Sequence, residues 1–208
     1  ASNRITRADY PDGSYETFTY NAYGQVQSQR KRDGSVWSNS YDGLGRQIAA
    51  MDPLGHATRY AYDSRGRVSA ISNALGYVTQ LAYDWRGQVT NVNYPDGTQE
   101  RIAYDEYGAE TNRGLASGGN VARTYDEWGR PVSITDPLGN ATLYQYDSQG
   151  RLLRTTYPSG LIVSNAYDAA GRKTREYFST DGTSRQWTYS PSGVHTQYDR
   201  LGRATLYE

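Results

Sequence analysis

Glycine returns along this chain at so regular an interval that few folds remain open to it. Gly13, Gly24, Gly34, Gly45, Gly55, Gly66, Gly76, Gly87, Gly97, Gly108, Gly118, Gly129, Gly139, Gly150, Gly160, Gly171, Gly182, Gly193 and Gly202 are spaced by steps that alternate between 11 and 10 residues, and only the last three steps break the pattern. Nearly every one of the 22 glycines belongs to this series, so glycine serves as punctuation. Asn3 fits the slot one step before Gly13, asparagine being the next most tolerant residue of positive φ. Self-similarity at a fixed period is the signature of a repeat architecture.

Two motifs carry these glycines. In the first, Tyr stands four residues before Gly and Asp follows the Tyr: Tyr41, Asp42 and Gly45; Tyr62, Asp63 and Gly66; Tyr83, Asp84 and Gly87; Tyr104, Asp105 and Gly108. The series continues with Tyr125, Asp126 and Gly129; Tyr146, Asp147 and Gly150; Tyr167, Asp168 and Gly171; and, after a change of register near residues 177–202, Tyr198, Asp199 and Gly202. Tyr20 and Gly24 enclose Asn21 instead, and Tyr189 is followed by Ser190. Arg46, Arg67, Arg130, Arg151, Arg172 and Arg203 each follow their glycine directly. The second motif lies between these copies as "YPDG", "DPLG", "NALG" or "YPSG".

Both motifs read as turns. Asp or Asn at the first position bonds its own backbone, Pro presets φ at the second, and Gly at the fourth supplies the left-handed conformation. A type I turn closed by a glycine bulge is a common hairpin connection. Removing the turns leaves strands of about 6 or 7 residues and nothing long enough for a helix. In most strands entering a Tyr-Asp turn, bulky Phe18, Tyr60, Leu81, Ile102, Tyr144 and Trp187 alternate with small or polar Thr19, Ala61, Ala82, Ala103, Gln145 and Thr188, while Asn39, Arg123 and Asn165 depart from the bulky series. The strand leaving the turn alternates less cleanly, and its faces stay unassigned. The expected fold class is all-β: one domain over residues 1–208, a continuous curved antiparallel sheet of about 20 short strands. A flat sheet that wide would curl.

Aliphatic residues are scarce enough to suggest disorder. Zero net charge and 21 tyrosines, each with a large apolar body and a polar tip, oppose that reading. The sheet is therefore expected to rest on turns and cross-strand aromatic contacts, without a thick core. The absence of cysteine excludes disulfides and thiolate metal sites. No apolar run is long enough to span a membrane, and no signal peptide opens the chain. The chain starts in a turn slot and stops after "YDRLGR", as a piece of a longer array would.

The motifs "YDGLGR", "YDSRGR", "YDSQGR", "YDAAGR" and "YDRLGR", at a 21-residue period over essentially the whole chain, resemble the YD-repeat or RHS-repeat family. That resemblance implies a spiral β-shell, found in toxin-complex subunits, polymorphic toxins and teneurins, that encloses a C-terminal toxin or other cargo. It also implies a secreted or surface-delivered protein of bacteria whose shell is a wall, not a catalyst. Its partners would be the remaining repeats of a larger shell and the enclosed cargo. One family feature is missing: "DPLG" is followed by His56 and Asn140, where the self-cleavage motif has Leu. Asp52 and Asp136 are accordingly read as turn residues.

Other chemistries fare worse. No G-x-x-x-x-G-K-[ST] loop exists, so no nucleotide is expected. His56 and His195 stand far apart without acidic or cysteine partners at ligand spacing, so neither metal nor cofactor is expected. Asp105-Glu106 and Asp126-Glu127 fall in turns, where Asp caps and Glu faces solvent. The 22 Lys and Arg are cancelled by 22 Asp and Glu, which argues against nucleic acid. The turn arginines are expected to pair with the turn Asp or to stack on a neighbouring Tyr. The alternative function is a cell-surface adhesion or carbohydrate-binding module. Against it, Trp37, Trp85, Trp128 and Trp187 occupy four different offsets from the tetrad Tyr. An isolated piece of such a sheet is also expected to associate edge to edge.

Overall fold

The computed structural model describes residues 4–191 and 193–207, so Asn3 lies outside the described residues. Among them are twenty β-strands and no helix. The chain divides into two compact units, Ala1–Arg101 and Ile102–Glu208.

In the first unit, β2 (Tyr15–Tyr20), β3 (Val26–Arg30), β4 (Val36–Tyr41), β5 (Gln47–Met51), β6 (Ala57–Tyr62) and β7 (Val68–Ser72) follow one another as antiparallel neighbours. The second unit repeats the arrangement through β12 (Asn120–Tyr125), β13 (Pro131–Thr135), β14 (Ala141–Tyr146), β15 (Leu152–Thr156), β16 (Ile162–Tyr167) and β17 (Lys173–Phe178). Strands of 6 and 5 residues alternate through most of the array, slightly shorter than expected. The residue after each turn glycine belongs to the turn. The Asp42 N–H donates to the Arg46 carbonyl at 2.9 Å and the Gly45 N–H to the Asp42 carbonyl at 3.0 Å. Gly45 has φ of +79°, and no described residue other than glycine has a positive φ.

One bulge per repeat explains why the period is odd. In the β4–β5 pair, Ser40 faces Ala49 but Tyr41 faces Gln47, so Ile48 is left over. The same irregularity precedes Tyr20, Tyr62, Tyr83, Tyr125, Tyr146 and Tyr167. Hairpins of the second motif have no such shift, as in the β5–β6 pair. Directly opposed residues share a face, and each bulge moves one residue across the pleat. Tracing the pairs from Asn39 through Ala50 and Thr58 to Tyr60 keeps Tyr41 and Tyr62 on one face despite their odd separation. The opposite face carries Thr19, Ser40, Ala61 and Ala82, all exposed, while the tyrosine face is half-buried.

No thick core forms. Among the described residues the buried apolar ones are Ala57, Ile102 and Val163, and no large side chain is fully buried. Shielding of one large side chain by the next along the tyrosine face takes the place of a second layer.

Candidate functional site

The tetrad Tyr-Asp-x-x-Gly-Arg does two jobs, one inside its own turn and one toward the next repeat. Inside the turn, Asp42 Oδ1 accepts the N–H groups of Leu44 and Arg46, both at 2.9 Å. Asp63, Asp84, Asp105, Asp126, Asp147 and Asp199 each hold two turn N–H groups in the same way. Asp168 holds the N–H of Arg172 at 2.8 Å. Gly24, Gly45, Gly66, Gly87, Gly108, Gly129, Gly150, Gly171 and Gly202 all have positive φ.

The arginine closes the turn and also leaves it. Its Nε donates to the second carboxylate oxygen at 2.7 Å for Arg46 on Asp42, Arg67 on Asp63 and Arg130 on Asp126. For Arg151 on Asp147 and Arg203 on Asp199 the distance is 2.6 Å, and for Arg172 on Asp168 it is 2.8 Å. The same guanidinium lies over the next repeat's tyrosine, 4.5 Å from the ring centre for Arg46 on Tyr62 and for Arg67 on Tyr83. In the second unit the equivalent distances are 4.6 Å for Arg130 on Tyr146, 4.7 Å for Arg151 on Tyr167 and 4.6 Å for Arg172 on Tyr189. The pairing and the stacking that the sequence offers as alternatives therefore coexist at one side chain.

The tyrosine answers with its hydroxyl. Tyr62 donates to the Gln47 carbonyl at 2.6 Å, one residue past the arginine stacked on its ring. Tyr20 donates likewise to Ile5, Tyr41 to Val26 and Tyr83 to Val68. Tyr125 donates to Glu110, Tyr146 to Pro131 and Tyr167 to Leu152. The separation is 15 residues each time and becomes 16 for Tyr189 on Lys173, where the glycine spacing breaks. Tyr104 ends β10 (Gln99–Tyr104), and Tyr198 is 37% exposed. The hairpins of Tyr62, Tyr83, Tyr146, Tyr167 and Tyr189 are thus clasped to the one before by a ring, a hydroxyl and a guanidinium, and those of Tyr41 and Tyr125 by the ring and hydroxyl. A buried amphipathic tyrosine needs such a partner for its O–H.

Electrostatics suit a strut. Asp42, Asp63, Asp168 and Asp199 are held below the ordinary carboxylate range, first by the backbone N–H four residues on and, against some desolvation, by the arginine side chain. The tyrosine hydroxyl of Tyr146 is pushed up, chiefly by burial. In the first tetrad, Gln25 stands in place of arginine and its amide donates to the Gly45 carbonyl at 2.7 Å. His56 occupies the arginine position of the second motif, with Nδ1 2.9 Å from Asp52 Oδ2. Among the described residues no three His, Cys, Asp or Glu side chains gather as a metal site.

The Teneurin YD-shell family model matches residues 9–205. The chain belongs to that family. Its fold is shared with solved structures at low sequence identity. The crystal structure of TcdB2-TccC3-TEV matches 92% of this chain with a TM-score of 0.67 at 14% identity. The crystal structure of TcdB2-TccC3 without its hypervariable C-terminal region matches 91% with a TM-score of 0.66 at 15% identity. The chain spans 12% of each of those longer chains. No curated protein sequence matches it significantly.

The sequence displays the tetrad residues but not the acceptor of each tyrosine hydroxyl. That acceptor is a backbone carbonyl, which carries no sequence signature beyond its constant distance behind the tyrosine. The polar cluster in which Glu110 takes Arg113 at 2.6 Å and Arg123 at 2.5 Å on the tyrosine face also went unseen.

Proposed function

We propose that this chain is a stretch of the wall of a YD-repeat shell, one continuous array over residues 1–208, that encloses a toxin or other C-terminal cargo. The shell belongs to a secreted or surface-delivered protein of bacteria, and the wall itself carries out no reaction. The observation that carries this reading is the clasp. Asp, Arg and Tyr, the side chains from which a catalytic site could be drawn, are spent on holding turn to turn and hairpin to hairpin. A repeated strut of this kind builds surface, and a surface one strand tall suits containment. The partners on this reading are further repeats of the same array and the polypeptide inside.

The test uses the longer polypeptide that contains this array. Limited proteolysis is expected to spare its C-terminal segment until the wall is opened by denaturant, and electron microscopy to show a hollow particle. A C-terminal segment digested as fast as an unfolded control would overturn enclosure.

A further inference from the structure

Two neighbouring turns in the second unit share a tip that the clasp does not use. They read "DEYG" at residues 105–108 and "DEWG" at 126–129. The Asp and Gly make the turn, as everywhere. The two central residues are free of that task, since this turn accepts most residue types there. Yet both turns place a Glu and then an aromatic at the same two positions. Tyr107 is 87% exposed and Trp128 is 71% exposed, far more than tyrosines of the clasp. Glu106 and Glu127 are exposed beside them. A groove of about 520 Å³, lined by Glu106, Tyr107, Thr124 and Asp126 among others, runs from the first tip to the base of the second, and Trp128 lines a separate groove with Gln149 of the following turn. Arg123 also lines the first groove and shares the Glu110 carboxylate with Arg113. One face of Trp128 is covered by Arg130, 4.7 Å from the ring, and the rest of the ring is open.

We propose that these paired tips form a docking ridge for a basic, proline-rich segment in the polyproline II conformation. Three features select that occupant. Exposed Tyr and Trp offer flat apolar platforms with a polar edge, the surface on which prolines of such segments pack. Free carboxylates beside the rings ask for a cationic partner, and the same rings attract Arg or Lys through their faces. The third feature is pitch. Consecutive turns on one sheet edge lie two strand spacings apart, about 9.5 Å. A polyproline II helix returns to the same face every three residues, after about 9.3 Å. A segment with Pro-Pro-Arg periodicity therefore presents one cation and one proline face to each tip in register. The ridge lies on the turn tips, so it stands or falls apart from any cargo held by the wall.

Fluorescence anisotropy with a labelled peptide of repeated Pro-Pro-Arg, titrated with the whole chain, tests this. Saturable binding is expected, weakened at least about tenfold by Tyr107→Ala with Trp128→Ala, as two lost ring contacts would do. Glu106→Gln with Glu127→Gln should weaken it comparably and flatten its salt dependence. Tyr23→Ala, an exposed ring on a tip without Glu, should leave it unchanged. Circular dichroism checks that each variant stays folded. Equal binding of a repeated Gly-Ser-Arg peptide, unchanged binding by the Tyr107 and Trp128 double variant, or binding of a neutral glucan in place of the peptide would each overturn the proposal.

Discussion

Gly43 and Gly45 sit in one turn, yet substitution should move stability in opposite directions. Gly45 has φ of +79°, whereas Gly43 has no positive φ and open space where a Cβ would stand. Gly43→Ala should raise stability by about 0.4–1 kcal/mol by restricting the unfolded chain. Gly66→Val should lower it by about 1–2 kcal/mol, because a β-branched residue is forced to positive φ. At Gly66 the nearest atom to the new Cβ is Arg46 Nη1 at 3.8 Å, so conformation alone sets the cost. At Gly150 the nearest is Arg130 Nη1 at 3.1 Å, and that guanidinium is held against Tyr146. Gly150→Val should therefore cost more than Gly66→Val in urea melts, and equal costs would discredit the clasp as a rigid neighbour. The tyrosines allow a similar contrast. Tyr62→Phe strands the Gln47 carbonyl and should cost about 0.5–1.5 kcal/mol. Tyr77→Phe, at a ring 57% exposed, should cost nothing measurable.

At the level of the turn, acid is the probe. Asp42, Asp63, Asp168 and Asp199 have folded pKa values lowered from the model-peptide range by backbone N–H bonds first and the arginine side chain after desolvation. A lowered folded pKa means that the unfolded chain takes up protons first on acidification. The stabilisation is complete above the unfolded value of about 3.9 and is lost as pH falls through the folded value. Urea midpoints should stay level between about pH 7 and 5 and then fall below about 4, while the turns at Asn21 and Asn73, which hold the same N–H groups with an amide oxygen, contribute no such loss. A midpoint already falling by pH 6 would count against this account. These turns were legible in the sequence because a glycine at positive φ and an Asp that bonds forward are local demands of the backbone. The strands leaving the turns were not, since β3, β5 and β7 owe their faces to the bulge opposite each tyrosine, which only pairing reveals. The Arg46–Tyr62 stack was half legible: both residue types were evident, but bringing them together requires the register of two hairpins.

Along the chain, stability should be a sum over neighbours, because few of the described residues are buried within either unit and each clasp reaches back only one hairpin. That makes length a sharper variable than composition. Deleting Gln47 through Arg67 removes one full period and leaves Arg46 directly before Val68, so Arg46 inherits Tyr83, and the Tyr83 hydroxyl keeps its own Val68 carbonyl. Deleting Gln47 through Gly66 removes one residue fewer and leaves Arg46 and Arg67 side by side. A slip of one residue turns every following side chain to the other face. The shorter protein from the full-period deletion should therefore keep its β-sheet circular dichroism and melt cooperatively, and the protein one residue longer should melt broadly at lower temperature. If the two deletions melt alike, the period is a pattern in the sequence without being a unit of the structure, and the additive wall fails with it.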